Sequence, residues 1–401
     1  MKKLISIKFT WVLVFLLFFT ARYYAQDVIP KVKPGIWVRT GYKLTVAVKS
    51  DLSCRHMALG PDGTLYYTTN PGKIIVAAKD KNHDGYYETL TNFYKSENGV
   101  SGVYWYDGYL WYTESGAVYK LKDKNNDGIA DERDTVLPVG SLPSGGAHHY
   151  RPVLIHNGRL YTALGDKGND TDPAGTDREK IWTYNLQGKD KQLYCTGIRN
   201  TEKLVVRPGT DEIWGMDHGS DWFGKPVGDG NGLQPITDYN PPAEMNKYIK
   251  GGFYGHPFIV GNKLPRYEYL KRPDIIELAQ KTIVPEWCGG AHYAPCGMMF
   301  YTGNQFPKDV KGDAFVAYHG SWNRSVLAGY QVTRVFFEDG EPYGELPYVK
   351  FLTGDQKVLG RPVDVIQAPD GSILISDDGN LEVDGHSENY IYRLSYVGNK
   401  R

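Results

Sequence analysis

The sequence predicts an all-β protein with the architecture of a six-bladed β-propeller, and three observations favour it. Glycine (46 residues) and proline (23 residues) are frequent among the 401 residues, which indicates many turns. Tyrosine (31 residues) and tryptophan (9 residues) are abundant, and aromatic residues favour strands. Short apolar runs, each introduced by a glycine turn, recur at an interval that is typical of propeller blades.

Six turns define this repeat. They are Asp62-Gly63, Asp107-Gly108, Asn157-Gly158, Gly209-Thr210, Lys311-Gly312 and Asp370-Gly371. The steps between them are 45, 50 and 52 residues, then 102, then 59. A blade takes about 40 to 50 residues, so the turns predict six blades. The step of 102 residues is predicted to hold extra blade strands and a long loop over residues 224–252. A pair of β-sandwiches with irregular repeats is the alternative.

The charge balance and the N-terminus bear on where the protein acts. The chain has 46 basic and 46 acidic residues, which argues against nucleic acid or an anionic membrane as the partner. Lys2, Lys3 and Lys8 precede or enter an apolar run at residues 11–19, as in a secretory signal cleaved near Ala25. We therefore expect a signal peptide at residues 1–25, a single propeller domain at 26–401, and a periplasmic or secreted location. No membrane span is expected after cleavage. Retention of the apolar run as an anchor is the alternative.

Four cysteines stand at positions 54, 195, 288 and 296. Export would place them in a compartment that permits disulfides, so one or two bridges are possible. Cys288 and Cys296 are close enough in sequence to close a short loop, and Cys54 with Cys195 is a second possible pair.

Four arginines share a position in the repeat. Arg55, Arg151, Arg199 and Arg361 each stand seven to ten residues before the glycine of their turn, where the first strand of a blade begins. The first strand lies nearest the central channel, so the four guanidinium groups are predicted to converge on one mouth. Such convergence favours an anionic ligand, such as a polycarboxylate or a phosphate. The alternative is that each arginine pairs with a local carboxylate such as Asp364 or Asp217.

Three histidines fall in the same register. They are His148, His218 and His319. No two histidines have the spacing of a zinc motif, so a general base or a cofactor contact is favoured over a metal cage.

Two segments have the ligand spacing of a calcium loop. Each places oxygen-bearing side chains at positions 1, 3, 5 and 9 and glycine at position 6. The residues are Asp80, Asn82, Asp84 and Glu88 in the first segment, and Asp123, Asn125, Asp127 and Asp131 in the second. We expect both to bind calcium in a structural role; ordinary Asp-Gly surface turns are the alternative.

Seven short motifs occur in order along the chain. They are Gly-Ala-His-His-Tyr-Arg ending at Arg151, Gly197-Ile-Arg-Asn200, Asp217-His-Gly219, Glu244-Met-Asn246 with Gly251-Gly-Phe-Tyr-Gly-His-Pro257, Ala294-Pro-Cys-Gly297, His319-Gly-Ser-Trp-Asn-Arg324 and Gly360-Arg-Pro-Val-Asp364. Together they resemble the motifs of the soluble quinoprotein glucose/sorbosone dehydrogenase family, and they are closest to its sorbosone and pyranose dehydrogenase-like branch. The resemblance covers roughly residues 45–396.

The resemblance implies a site at one mouth of the channel. Members of the family hold pyrroloquinoline quinone (PQQ), a tricarboxylate, together with a calcium ion. By position, His148 is the expected base, with His149 as the alternative, and the carbonyl groups of Gly219 and Ser220 are the expected calcium ligands. The expected cofactor contacts are Arg55, Arg151, Arg199, Asn200, His218, Trp322, Asn323, Arg324 and Arg361.

The expected function is oxidation of a sugar or a sugar-derived hydroxyl or aldehyde by hydride transfer to calcium-bound PQQ. The electrons are expected to leave through a separate acceptor, a cytochrome or a quinone-linked carrier. A calcium-dependent six-bladed lactonase is one alternative, and it predicts carboxylates where the inner strands begin. A non-catalytic carbohydrate- or protein-binding propeller is the other, and it has no need of converging charges.

Overall fold

The computed structural model describes residues 29–69, 73–223, 236–379 and 389–398. Within these residues the chain forms 27 strands and one α-helix. The strands before the first complete blade are β1 (Trp37–Val38) and β2 (Tyr42–Ser50). The first blade contains β3 (Met57–Leu59), β4 (Leu65–Thr68), β5 (Ile74–Lys79) and β6 (Thr89–Lys95). The second contains β7 (Val103–Tyr106), β8 (Tyr109–Glu114), β9 (Ala117–Lys122) and β10 (Glu132–Leu137).

The third and fourth blades follow the same pattern. The third contains β11 (Leu154–His156), β12 (Arg159–Leu164), β13 (Lys180–Asn185) and β14 (Gln192–Thr196). The fourth contains β15 (Leu204–Val206), β16 (Ile213–Asp217), β17 (Ala243–Tyr248) and β20 (Trp287–Gly289). Between β17 and β20 the chain forms a hairpin and a helix, which are β18 (Ile259–Val260), β19 (Leu264–Pro265) and α1 (Ile275–Lys281).

The last two blades complete the ring. The fifth contains β21 (Pro295–Phe300), β22 (Ala314–Tyr318), β23 (Gln331–Glu338) and β24 (Glu341–Lys350), with β1 added outside β24. The sixth contains β25 (Pro362–Gln367), β26 (Ile373–Asp377) and β27 (Asn389–Tyr396), with β2 as its outer strand. Single 3-10 turns occur at Thr237–Tyr239, Tyr267–Tyr269 and Lys308–Val310.

The six sheets are arranged as a closed ring. Within each sheet, neighbouring strands pair antiparallel. The first strands of the blades contact one another in the order β3, β7, β11, β15, β21, β25 and back to β3. These six strands therefore surround the central channel, and the six-bladed propeller that the sequence predicted is confirmed.

The ring is closed by a strand from the N-terminal part of the described chain. β2 pairs antiparallel with β27, with Leu44 opposite Leu394, and so completes the sixth blade. Because β2 and β27 lie at opposite ends of the sequence, their pairing joins the two ends of the ring. Apolar side chains then fill the space between adjacent sheets; Tyr66 of the first blade stacks on Trp105 of the second, for example.

All six predicted turns lie between the first and second strands of a blade. The long loop that was predicted over residues 224–252, within the step of 102 residues, was wrong in part. Residues 224–235 lie outside the described residues, but Ala243–Tyr248 is β17, the third strand of its blade, and not a loop. The extra length is divided between the connection from β16 to β17 and the segment between β17 and β20, where the hairpin and α1 pack together around Phe258 and Leu278.

The predicted disulfides are not formed, and all four cysteines are free. Cys54 is buried between the first and sixth blades, whereas Cys195 is buried between the third and fourth, so these two cannot meet. Cys288 is exposed and Cys296 is buried. Among the described residues, no helix has the length and apolar character required to cross a membrane. The predicted signal peptide lies outside the described residues.

Candidate active site at the channel mouth

A chain of charged side chains crosses one mouth of the channel. Arg55 donates to Glu202 Oε2 at 3.0 Å and to Asp378 Oδ2 at 2.5 Å. His319 Nε2 lies 2.9 Å from the other oxygen of Asp378. Arg361 donates to the carbonyl oxygen of His319 at 3.4 Å. Residues of the first, fourth, fifth and sixth blades are thus in direct contact at this mouth, and of the four arginines in the prediction Arg55 and Arg361 take part in these contacts.

The two carboxylates that bond to Arg55, those of Glu202 and Asp378, are held in their ionised form. Burial alone would raise the pKa of Glu202, but the side chains of His56 and Arg55 lower it well below its usual range. Burial would also raise the pKa of Asp378, and the charges of His319 and Arg55 lower it. Charge pairing therefore outweighs desolvation at both carboxyl groups.

The four arginines differ in how their guanidinium groups are bonded. Arg55 forms ion pairs with two carboxylates, and Arg199 forms one with Asp221 at 3.3 Å. Arg55 and Arg199 therefore pair with carboxylates, which was the alternative given for the arginines. Their partners are not Asp364 or Asp217, the two examples that the sequence offered. Among the described residues, the guanidinium groups of Arg151 and Arg361 bond only to backbone carbonyl oxygens. In the part of the chain that the structure describes, no carboxylate is hydrogen-bonded to either guanidinium group.

Arg151 supports the loop that carries the histidine pair. Its guanidinium donates to the carbonyl oxygens of Pro143 and His149, and its Nε has no partner in the described part of the chain. Arg178 donates to the carbonyl oxygens of Ser144 and Gly145 from the other side. Burial, followed by the charge of Arg178, lowers the pKa of Arg151 to about 10.

Asp217 fixes the segment with Arg199 and Asn200. Its two carboxylate oxygens accept the backbone N–H groups of these residues at 2.7 and 2.6 Å. The side chain of Asn200 lies 3.4 Å from His218 Nδ1, while its Oδ1 is buried without a hydrogen-bond partner among the described residues. Burial lowers the pKa of His218 to about 4. The imidazole of His218 lines a small cavity together with Gly219 and Ser220.

The structure distinguishes the two candidate bases. His148 Nδ1 lies 3.1 Å from the carbonyl oxygen of Asp166, and a carbonyl can only accept, so Nδ1 carries the proton. The lone pair is consequently on Nε2. Burial, with further contributions from the charges of Arg199 and His218, lowers the pKa of His148 to about 3. His149 is exposed and packs against Tyr150 instead.

Gly165 allows the groups of the site to approach one another. A Cβ atom at this position would lie 2.7 Å from His148 Cβ, 3.0 Å from the carbonyl oxygen of Arg199 and 3.3 Å from Asn200 Oδ1. Real Cβ atoms are not found so close to other atoms. Glycine is therefore required where β12 leads into the loop behind His148.

Gly219 lies where several backbone oxygens meet. A Cβ atom here would lie 2.6 Å from the carbonyl oxygen of Pro242 and 2.7 Å from that of Pro241. The carbonyl oxygen of Gly219 itself accepts a bond from Arg199 at 2.9 Å. Ser220 is buried, and its hydroxyl group contacts Arg266. The two expected calcium ligands, Gly219 and Ser220, thus lie beside the carbonyl oxygens of Pro241 and Pro242. The carbonyl oxygen of Gly219 is already bonded to the guanidinium of Arg199.

The segment with Trp322, Asn323 and Arg324 covers part of the mouth. Asn323 is buried and donates to the carbonyl oxygen of Asp221 at 2.5 Å. Trp322 is 63% exposed, and its ring meets that of Trp222 edge-on at 6.2 Å. The Arg324 guanidinium lies 5.4 Å from the ring of Tyr239. A large aromatic ring that is mostly exposed beside a charged pocket can cover a planar ligand.

A cavity of about 370 Å³ lies in the central channel. Its walls are the inner strands β3, β7, β11, β15 and β25, and Glu202 and His56 line it together with Lys203. The ammonium group of Lys203 bonds to Asp364 Oδ1 at 2.5 Å. Asp364 therefore neutralises a lysine, and not one of the four arginines.

The two predicted calcium loops have similar backbone conformations. The side-chain oxygens of Asp80 accept the N–H groups of Asp84 and Gly85, and those of Asp123 accept the N–H groups of Asn126 and Gly128. The position-6 glycines have φ values of 94° and 90°, which the sharp turn requires. In each loop the position-9 carboxylate accepts a backbone N–H, Glu88 from Lys81 and Asp131 from Lys124. The remaining predicted ligands, Asn82, Asp84, Asn125 and Asp127, lie inside the turns.

The sequence analysis missed several residues that support the site. Glu202 and Asp378 bind Arg55, the carbonyl group of Asp166 orients His148, and Arg266 contacts Ser220. Glu202 lies two residues after the Gly-Ile-Arg-Asn motif, so its position in the inner-strand register was a signal. Asp378 acts across blades, 323 residues from Arg55, whereas Asp166 and Arg266 act within a blade on partners 18 and 46 residues away, and no local pattern marks any of the three.

The chain belongs to the TrAA12-like family, whose model matches residues 37–359. An uncharacterized protein of Borreliella burgdorferi (strain ATCC 35210 / DSM 4680 / CIP 102532 / B31) is 29% identical over 318 residues, which cover 74% of this chain and 75% of the relative.

The fold is similar to those of several solved structures. A calcium structure of the carbohydrate-active enzyme family AA12 protein of Trichoderma reesei has a TM-score of 0.76 at 16% identity, covering 92% of this chain and 99% of that chain. The holo form of the pyranose dehydrogenase PQQ domain of Coprinopsis cinerea has a TM-score of 0.74 at 17% identity, with the same coverage. The PQQ-bound aldose sugar dehydrogenase of Streptomyces coelicolor has a TM-score of 0.62 at 15% identity, covering 90% and 99%.

Proposed function

We propose that this protein is an exported PQQ-dependent oxidoreductase that oxidises a hydroxyl or aldehyde group of a sugar, with calcium at the site. One observation carries the proposal. His148 presents an unprotonated Nε2 at a mouth where residues of several blades converge, and Arg361 there bonds only to carbonyl oxygens among the described residues. Membership of the TrAA12-like family and the similarity to PQQ-bound structures support it.

The residues of the mouth fit the cofactor in charge and in donor type. Carboxylate groups would be bound by Arg361 and by Arg199, whose own ion pair with Asp221 is long at 3.3 Å. Calcium prefers oxygen ligands, and the backbone oxygens near Gly219, including those of Pro241 and Pro242, are of that kind. The buried and unpaired Asn200 Oδ1 also requires a partner.

The protein's own residues can prepare the substrate for oxidation. His148 Nε2 is the acceptor for the hydroxyl proton, since Nδ1 is held by Asp166 and the imidazole stays neutral. When bound, PQQ with calcium would supply a two-electron acceptor for the hydride from the carbon that bears this hydroxyl group. The exposed indole of Trp322 and its neighbour Trp222 can shield this exchange from water.

The lactonase alternative places free carboxylates on a channel ion. Carboxylates are indeed present at the mouth, but Glu202 and Asp378 each give an oxygen atom to Arg55, so neither is free to act as a ligand of a channel ion in this arrangement. The observation therefore favours the oxidoreductase. The signal peptide and the separate electron carrier remain parts of the proposal.

The proposal is tested by titrating PQQ into calcium-loaded apoprotein and following turnover with an artificial electron acceptor over a panel of aldoses, sorbosone and polyols. We expect stoichiometric binding and turnover of at least one sugar. Arg361→Ala should weaken PQQ binding about 10- to 100-fold, because it removes a charge-assisted contact to a carboxylate.

Arg207→Ala is the matched control for this change. Arg207 follows the end of β15, whereas Arg199 precedes its start, so Arg207 lies at the other end of the channel. Its guanidinium donates to the carbonyl oxygen of Gly340 at 3.0 Å. Equal PQQ affinities in the two variants, or no binding by the parent protein, would contradict the proposed site.

A second prediction concerns Gly165. Gly165→Ala is expected to displace His148 and the Arg199–Asn200 backbone, because the new methyl group would overlap both. Since a shift of about 1 Å at a reacting group costs about 100-fold, turnover should fall by that order while the protein remains folded. Steady-state kinetics with the best sugar checks it. Gly354→Ala is the control, because nothing lies within 4 Å of a Cβ at that position; similar losses in both variants would argue against the placement of the site.

A third prediction concerns the two calcium loops. Asp80→Asn and Asp123→Asn should each lower the number of bound calcium ions by one, because an amide cannot replace the charged ligand at position 1. Isothermal titration of chelator-treated protein with calcium gives the stoichiometry. Asp107→Asn changes an Asp-Gly turn that lacks the ligand pattern and should leave the number unchanged. Unaltered stoichiometry in the two loop variants would identify both segments as ordinary turns.

A further inference from the structure

Three side chains of types that can bind a metal ion meet in the interior beside the proposed active site, and one of them, His256, lines a small cavity together with Gly219 and Ser220. They are Asp166, Glu179 and His256, and they are 0%, 1% and 6% exposed. His256 Nε2 lies 2.9 Å from Asp166 Oδ2 and 3.9 Å from Glu179 Oε1. One donor atom from each residue can be chosen so that all three lie within 4.8 Å of one another.

The three residues come from separate elements that the fold brings together. Asp166 follows β12, and Glu179 directly precedes β13, so both belong to the third blade. His256 lies in the segment between β17 and β18, in the fourth blade. The cluster therefore joins two blades, behind the loop that holds His148.

One group of the cluster has no partner. Glu179 Oε2 is buried and forms no hydrogen bond among the described residues. Asp166, in contrast, accepts the N–H groups of Gly168 and Thr171 at 2.8 and 2.9 Å, which orient its carboxylate. A buried carboxyl group without a hydrogen bond is costly, so a ligand of positive charge in the cluster would remove this cost.

The ligand types in the cluster, one imidazole and two carboxylates, indicate which metal ions it could bind. Bonds of 2.0–2.1 Å in a tetrahedral zinc site place the ligand atoms about 3.3 Å apart, a value between the two distances measured here. One imidazole and two carboxylates suit zinc and its first-row neighbours, whereas calcium requires six to eight oxygen ligands. We infer that Asp166, Glu179 and His256 form a binding site for one divalent transition-metal ion, with Zn²⁺ as the representative.

A metal ion here would have a consequence for the neighbouring base. The carbonyl oxygen of Asp166 accepts the Nδ1 proton of His148, so an ion that fixes Asp166 also fixes the direction of the imidazole. This consequence depends on the proposed function, but the metal site itself does not. Metal binding is therefore tested without PQQ or sugar.

The experiment uses full-length apoprotein that has been treated with chelator and then saturated with calcium. Co²⁺ and Zn²⁺ are added in turn. We expect one equivalent of Co²⁺ with visible d–d bands and no thiolate-to-cobalt charge-transfer band, and displacement of that Co²⁺ by Zn²⁺. A spectrum without d–d bands, or a Zn²⁺ stoichiometry of zero, would overturn the inference and leave the cluster as a hydrogen-bonded group.

Two variants assign the ion to its ligands. Glu179→Gln keeps the shape of the side chain and should weaken Zn²⁺ binding about 10-fold or more, as monitored on samples whose circular dichroism matches that of the parent. Cys296→Ser is the matched control, because Glu202, His218 and Cys296 form a second group with donor atoms within 4.8 Å. Zn²⁺ binding should be unchanged in that variant. Loss of Zn²⁺ in Cys296→Ser with retention in Glu179→Gln, or a thiolate band in the parent, would place the ion in the other group and refute the inference.

Discussion

Replacing His148 by alanine is expected to lower kcat with a sugar by about 10²- to 10⁴-fold, the range for loss of a general base. The reason is geometric: Nδ1 is engaged by the carbonyl oxygen of Asp166, and the lone pair on Nε2 is left for the substrate proton. The measurement is steady-state turnover of protein loaded with PQQ and calcium. PQQ binding should be retained, because the side chain is assigned to the substrate and not to the cofactor.

His149→Ala is the control for this prediction. His149 is exposed and packs on Tyr150, so its loss should leave kcat within a factor of about two of the parent. A large loss in the His149 variant with near-normal turnover in the His148 variant would reverse the assignment of the base.

The pH dependence of kcat/KM follows from the lowered pKa of His148. The pKa of His148 is lowered to about 3, so its base form is present above that pH and is lost only as the pH falls towards it. Between pH 5 and 8, kcat/KM should therefore show no acid limb that depends on His148. An acid limb near pH 6.5 that disappears in the His148 variant would show that the imidazole titrates normally.

Arg55→Ala is expected to give the largest loss of stability among the site residues. Arg55 is 6% exposed, and its guanidinium bonds to the buried carboxylates of Glu202 and Asp378. Removing one partner of a buried ion pair costs about 3–5 kcal/mol, because the remaining charges are left unpaired. Urea unfolding at pH 7, fitted for the free energy of unfolding, measures the effect.

Arg159→Ala is the comparison for Arg55. Arg159 also forms an ion pair, with Asp190 at 2.7 Å, but the Asp190 side chain is 54% exposed. Water screens that pair, so its removal should change the unfolding midpoint only slightly. Equal losses in the two variants would indicate that the Arg55 cluster is solvated in solution.

Much of the fold was predictable because a propeller repeats its local pattern. Turns such as Asp107-Gly108 and Asn157-Gly158 stand between the first two strands of their blades, as the spacing predicted. The fourth blade was harder to predict. Its third strand, Ala243–Tyr248, lies inside a stretch rich in glycine and proline that resembles a loop locally, and the pairing of β17 with β16 overrides that composition.

The sequence could predict at which end of the inner strands the charged residues stand, but not which side chains bond to one another. The register of Arg361 and Arg199 places both at the same end of the inner strands, since Arg361 stands directly before β25 and Arg199 shortly before β15. The partner of each guanidinium was not predictable, because Glu202 is 147 residues from Arg55 and Asp378 is 323 residues from it. The choice between His148 and His149 likewise depended on the carbonyl group of Asp166, which the sequence does not distinguish from any other.

By itself, the sequence determined the number of blades, the edge of each blade at which the charged residues stand, and the two loops with calcium-ligand spacing. These features depend on residues close together in the chain, where spacing decides geometry. The tertiary structure alone decided which charges neutralise each other, which imidazole nitrogen is free, and that Asp166, Glu179 and His256 meet. Those features depend on contacts between residues that are distant in the sequence, several of them in different blades, and closure of the ring, with β2 paired to β27, holds the blades in register.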